Sequence, residues 1–319
     1  MKPPAAPVLD PPDRPALAVG LMLSALFLLA LQDSIVRLVG GATSLWQFQF
    51  LRSGLNLLLL LAIARVLWGT LPRWPSNIRA VAARSVLLVG AMVGFFGGVP
   101  ELTLTQMAAG LYTFPVFVTL LSAVFLGEGV GPRRAAAVAV GATGAALILQ
   151  PWAEGFRWLQ MLPVGAGLCY AAMILVTRRY CRAESPVTLA FGVSLAYLAA
   201  TLVGLAVIAV IRPGAAAQAA APYLATGWPV LTGTVLAAVV VCSVLNLTCN
   251  ISLSKAYQSA ESSWLAPFDY SYLIFATVWG FVVFADFPDT STLAGMLLIA
   301  SAGVFTAWRE QRLARQGRQ

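Results

Sequence analysis

Four ionisable side chains stand inside stretches that are otherwise apolar enough to lie in lipid: Asp33, Arg37, Arg52 and Asp269. A charge at the centre of a membrane helix costs about 2.5–3.5 kcal/mol on insertion scales, so each needs a counter-charge or a wet cavity. Asp33 and Arg37 are four apart and share a helix face, where they form either an interfacial ion pair or an outer gate. Arg52 lies roughly 9 Å below Trp46 at 1.5 Å per residue, and either faces a hydrated cavity or pairs with Asp33. Asp269 follows Pro267 by two residues. Its carboxylate caps backbone freed by that proline, pairs with Lys255 or Arg52, or meets a substrate amine or a proton.

Aromatic and amide side chains accompany these charges. Trp264, Tyr270 and Tyr272 flank Asp269, and Tyr112 and Tyr170 lie in other apolar runs. Their rings either pack against neighbouring helices or accept the apolar part of a ligand. Gln49, Asn246 and Asn250 supply hydrogen-bonding groups that bridge helices or touch a ligand. The chain has no histidine, which removes histidine triads and histidine metal sites. Its only lysines, Lys2 and Lys255, stand outside any GxxxxGK[ST] pattern, so no P-loop is expected. Cys169, Cys181, Cys242 and Cys249 lack a CxxC spacing and read as small apolar fillers. No enzyme activity, metal or cofactor is expected from this set.

The elements that must position these residues are membrane helices. Sixty per cent of the residues are hydrophobic and ten per cent charged, and the mean hydropathy is +0.84. Such a chain is not a soluble domain. Ten apolar runs are long enough to approach a bilayer's thickness: 16–39, 46–67, 85–100, 107–126, 135–150, 161–177, 187–211, 229–251, 261–284 and 291–308. Pro115 should kink the fourth, and Gly90, Gly94 and Gly98 give the third a ridge for close helix packing. Residues 1–15, with six prolines, read as a disordered cytoplasmic tail, and 309–319 as a basic one.

The net charge of +8 is unevenly placed. With the N-terminus in the cytoplasm, sixteen basic residues fall in inner segments and only Arg157 and Arg212 in outer loops. That asymmetry places both termini inside and argues for lipid rather than nucleic acid as the surface partner. Residues 106–131 and 260–289 also match at an offset of 158, which sets Tyr112 on Tyr270, Phe117 on Phe275, Thr119 on Thr277 and Glu128 on Asp286. Two copies of five helices each must run in opposite directions through the membrane, an arrangement that places a substrate site near the midplane.

Three stretches resemble the EamA family of the drug/metabolite transporter superfamily. These are FPVFVTLLSAVFLGEGVG…GATGAALILQP (114–151), LAPFDYSYLIFATVWGFVVFADFPD…AGMLLIASAGVFTAWRE (265–310), and QDSIVRL (32–38) with Arg52 downstream. Asp286 stands where that pattern usually has Glu. The resemblance implies an all-α polytopic protein of the bacterial inner membrane, with repeats over 16–151 and 152–308 and a central cavity.

The resulting expectation is a monomeric secondary transporter working by alternating access on a small molecule. Amino-acid export is the first reading, with Arg52 taking a carboxylate and Asp269 an amine. The alternative is import of a vitamin- or nucleoside-like compound such as riboflavin or S-adenosylmethionine. A non-transporting membrane scaffold is the alternative of another class.

Overall fold

A computed structural model describes residues 15–67, 74–99, 101–126, 131–260 and 262–316, with the side chains at 67, 126, 133–134, 262–264, 266 and 307–316 left aside. The proline-rich tail, the side chains of the basic C-terminal tail, Glu128 and the Trp264 ring therefore lie outside the described residues.

In chain order the helices are α1 (Pro15–Val39), α2 (Leu45–Leu67), α3 (Ile78–Phe96), α4 (Leu104–Leu111), α5 (Phe114–Leu126), α6 (Pro132–Leu149) and α7 (Leu162–Tyr180). There follow α8 (Pro186–Ile211), α9 (Ala215–Ala220), α10 (Pro222–Ala225), α11 (Gly233–Ser259), α12 (Ser262–Asp269), α13 (Ser271–Phe284) and α14 (Thr290–Gln316). Among the described residues eight helical stretches are long and apolar enough to cross a membrane, and two shorter ones, Ala135–Leu149 and Thr290–Thr306, fall on the fifth and tenth expected runs.

Local chemistry explains where the helices begin. Asn77 accepts from Ala80 N and starts α3 seven residues before the apolar run that marks it in the sequence. Thr103 and Gln106 form a reciprocal capping box at α4. Ser185 and Thr232 cap α8 and α11, and Pro132 and Pro186 sit in first turns, where a missing N–H costs nothing.

Asp289 caps α14 by accepting from Thr292 N at 2.8 Å, and it also accepts from Gln150 Nε2 at 2.8 Å. These bonds hold its carboxyl down at about 2. A depressed carboxyl stabilises the fold above its ordinary value near 3.8 and loses that contribution as pH falls through about 2. Asp289→Ala should therefore cost about 1 kcal/mol. Thermal unfolding in detergent should show the deficit unchanged between pH 8 and about pH 5.

Helix α1 is the centre of the bundle, packed against α11, α12 and α13. The other main pairings are α3 with α7 and α8, α2 with α8 and α11, α6 with α14, α4 and α5 with α7, α4 with α13, and α12 with α14. Small residues permit the closest of these. A Cβ on Gly94 would stand 2.7 Å from Leu162 O, and one on Gly90 would stand 2.9 Å from Cys169 Sγ, so the expected ridge on α3 faces α7. Gly98 does not extend that ridge; it packs on Leu102 in its own turn.

The connector after α8 is more than the loop its proline and alanine content suggests. Tyr223 within it is fully buried. Trp46 Nε1 donates to Leu224 O at 2.8 Å, Ser44 Oγ to Gly227 O at 2.5 Å, and Gln47 Nε2 to Pro229 O at 2.7 Å. The segment thus folds down over the start of α2.

Candidate functional site

The fourth and ninth apolar runs are both broken helices. The first breaks between α4 and α5 at Tyr112–Thr113, and the second between α12 and α13 at Tyr270. Pro115 follows the first break and Pro267 precedes the second, so proline alone does not set a common position. A hydroxyl does. Thr113 Oγ1 donates to Gly110 O at 2.6 Å, and Ser271 Oγ donates to Phe268 O at 2.7 Å. Each takes a carbonyl three residues back that a continuous helix would use itself. Thr113 and Ser271 keep the offset that relates Tyr112 to Tyr270, a match within reach of sequence comparison but absent from the candidate site residues.

The two breaks touch. Tyr112 OH donates to Asp269 O at 2.8 Å, so a tyrosine at the first break satisfies backbone at the second. The Tyr112 ring stacks on Tyr272 at 5.8 Å between centroids and lies 5.4 Å from Tyr270. Phe114 extends the group, 5.8 Å from Tyr112 and 5.3 Å from Tyr170 on α7. Tyr270 lies so flat on α14 that a Cβ on Gly303 would stand 1.9 Å from its ring.

Three carboxylates meet this seam or its edge. Asp33 on α1 is buried and accepts from Tyr272 OH at 2.5 Å, with Gln32 Nε2 at 3.4 Å from its other oxygen. It does not pair with Arg37. Arg37 instead bonds Asp286 at the far end of α13, its guanidinium lying 4.1 Å over the Phe284 ring. A carboxylate at the end of α13, 249 positions away, outcompetes the neighbour one turn back on α1. Asp269 is partly buried, and among the described residues no side chain donates to its carboxylate. Its charge is within reach of Tyr112, Tyr170 and Tyr257. Neither Lys255 nor Arg52 forms an ion pair with it.

Beside α1 lies a second, polar group. Arg52 is buried, with Phe96 5.4 Å from its guanidinium, and no described carboxylate lies within 4.0 Å of it. Its Nη1 finds no acceptor among the described residues. Both amide atoms of Gln49, Gln32 Oε1, Ser243 Oγ and Tyr223 OH are likewise buried without a protein partner. Each such atom costs about 1–3 kcal/mol in a dry interior; Gln49 stands one turn before Arg52 on α2, and Tyr223 lies within reach of the Arg52 charge. Asn250 donates to Asn246 O at 2.7 Å, within α11. Asn250 is exposed on α11, and no described contact joins it to the tyrosine seam or to Arg52. Gln32, Tyr223 and Ser243 carry no signal of this burial in the sequence, because nothing local to them separates a buried hydroxyl or amide from an exposed one.

Known proteins resemble the chain as follows. No family model matches it. It is 33% identical to a riboflavin transporter of Rhizobium johnstonii over 73% of this chain and 71% of that protein. It is 28% identical to a riboflavin transporter of Vibrio cholerae over 66% of this chain and 65% of that one. An S-adenosylmethionine uptake transporter of Rickettsia conorii shares 23% identity over 92% of this chain and 93% of its own length. A solved crystal structure superposes with a TM-score of 0.57 at 17% identity, covering 93% of this chain and 97% of that chain, which speaks for the fold alone. With these relatives and its bundle of apolar helices, the chain is a multi-pass membrane protein and belongs to the family of membrane transporters that includes the riboflavin transporter of Rhizobium johnstonii.

Proposed function

We propose that the protein takes up riboflavin, or a flat hydroxylated heterocycle close to it, across the bacterial inner membrane. The 33% identity to a riboflavin transporter over most of both chains carries this reading. The amino-acid export expected from Arg52 and Asp269 gives way to the vitamin-like alternative, because the named relatives handle riboflavin and S-adenosylmethionine. The tyrosine seam suits such a substrate: Tyr112, Tyr270 and Tyr272, packed on one another in this conformation, are aromatic surfaces that a substrate ring can exchange for, while Gln49 and Arg52 carry donors for ring carbonyls.

The transport cycle we infer is a rocking of two five-helix repeats of EamA type, over 16–151 and 152–308, with both termini cytoplasmic. The helix pairings support it. Exchanging each of the first five apolar segments with its counterpart in the second five turns α1–α11 into α7–α3, α3–α8 into α11–α2, and α4–α6 into α12–α14. It leaves α2–α8 and α6–α14 unchanged. Breaks at Tyr112 and Tyr270 meeting at the axis are what such repeats require of a midplane site.

On this reading the described conformation is closed outside, where Arg37 holds Asp286 and Trp46 holds Leu224. The ion pair is then a gate rather than a brace. Arg37→Gln should shift the protein toward the outward-open state and slow net uptake several-fold, a pair of this exposure being worth about 1 kcal/mol. An accessible cysteine introduced beneath the gate should label faster in Arg37→Gln than in the parent; equal rates would make the pair merely structural. The function itself is tested by expressing the gene in a riboflavin-requiring bacterium. Growth on micromolar riboflavin, lost with Tyr112→Ala, supports it; failure to grow with protein present in the membrane refutes it.

A further inference from the structure

A separate pocket of about 400 Å³ opens at the end of the bundle where Arg37 meets Asp286, in the size range of small-molecule sites. Its wall is rich in side chains that donate or accept hydrogen bonds: Thr105, Gln106, Gln150, Gln160, Asp286 and Asp289. Among the described residues no lysine or arginine lines it, so an anionic group finds no described counter-charge there. Its two carboxylates are already engaged, Asp286 by Arg37 and Asp289 by Gln150, Ser291 and Thr292, which leaves acceptors for hydroxyls rather than bare negative charge for a cation.

One lining residue ties the pocket to the helix that carries Tyr272. Thr105 Oγ1 lies 3.1 Å from Thr277 Oγ1, joining α4 to α13. Thr277 stands five residues beyond Tyr272 on α13, about 7.5 Å along the axis. Asp286 belongs to both the pocket wall and the Arg37 ion pair, so a hydroxyl bound to Asp286 competes with the contact that ties α1 to α13.

We propose that this pocket is a loading site that binds the polyhydroxylated chain of the substrate before the substrate reaches the seam. A neutral polyol is its ligand class. The proposal deepens the riboflavin reading and rests on it for the identity of the whole substrate, but polyol binding is testable alone. Gly155 offers the handle, since it lines the pocket and a Cβ there meets nothing within 4 Å.

The test measures labelling of Gly155→Cys by a membrane-impermeant maleimide in the full-length protein in nanodiscs, with Ala215→Cys on exposed α9 as control. Ribitol at several times its dissociation constant should slow labelling at 155 by about fivefold and leave 215 unaffected. Thr105→Val together with Gln106→Leu should remove that protection. No protection by saturating ribitol overturns the proposal, as does protection by choline alone, which would mark a cation site. Should ribitol protect while riboflavin is not taken up, the pocket stands and the riboflavin reading falls.

Discussion

Arg52→Met is expected to lower riboflavin uptake by about 10- to 100-fold at subsaturating substrate without lowering the thermal stability of the substrate-free protein. Arg52 is buried, has no carboxylate within ion-pair distance, and leaves Nη1 without a protein acceptor. A charged donor engaging a substrate carbonyl contributes about 1.5–3 kcal/mol, and each 1.4 kcal/mol is a factor of ten. Exchange for methionine roughly keeps the side chain's bulk and removes a buried charge that acts on Asp33 without an ion-pair contact, a change that is commonly neutral for the fold. Arg52→Lys should recover only part of the uptake, because an ammonium lacks the planar fork. The opposite pattern, a lowered melting temperature with uptake in proportion to folded protein, would show that Arg52 is a structural charge.

Gly303→Val should abolish uptake and lower stability as well. A Cβ at 303 would stand 1.9 Å from Tyr270 Cζ, and the ring has Gly303 behind it and Tyr112 5.4 Å away. Overpacking of this sort costs about 1–3 kcal/mol, with Tyr270 forced from the point where the broken helices meet. Gly20→Val is the control, because nothing lies within 4 Å of a Cβ there. Uptake by Gly303→Val at the parent rate would show that Tyr270 is not needed in that position.

Much of the fold was legible because membrane helices announce themselves by composition. Among the described residues eight of the ten apolar runs fall on helical stretches long enough to cross a membrane and two on shorter apolar helices, and the offset of Tyr112 and Tyr270 pointed to the two places where helices break. Boundaries were less legible. Caps such as Asn77 and Thr103 start helices in polar surroundings that a hydropathy reading assigns to loops. The pairing of charges was not legible at all. Asp33 and Arg37 stand one turn apart, yet their partners, Tyr272 and Asp286, come from α13 and the turn that follows it, and only packing brings them near. The buried polar atoms of Gln32, Gln49, Arg52, Tyr223 and Ser243 come from four separate elements and were illegible for the same reason. Substrate class was ambiguous because Arg52 and Asp269 suggest a zwitterion when read as a pair. In the fold they stand as separate charges, and the tyrosines that join the two breaks are the larger feature.

The most direct test is counterflow in proteoliposomes loaded with unlabelled riboflavin and diluted into labelled riboflavin, run beside amino acids and S-adenosylmethionine. Saturable accumulation of labelled riboflavin, lost in both Tyr112→Ala and Gly303→Val, is the predicted result. Accumulation of an amino acid with none of riboflavin, or riboflavin exchange indifferent to both substitutions, would contradict it.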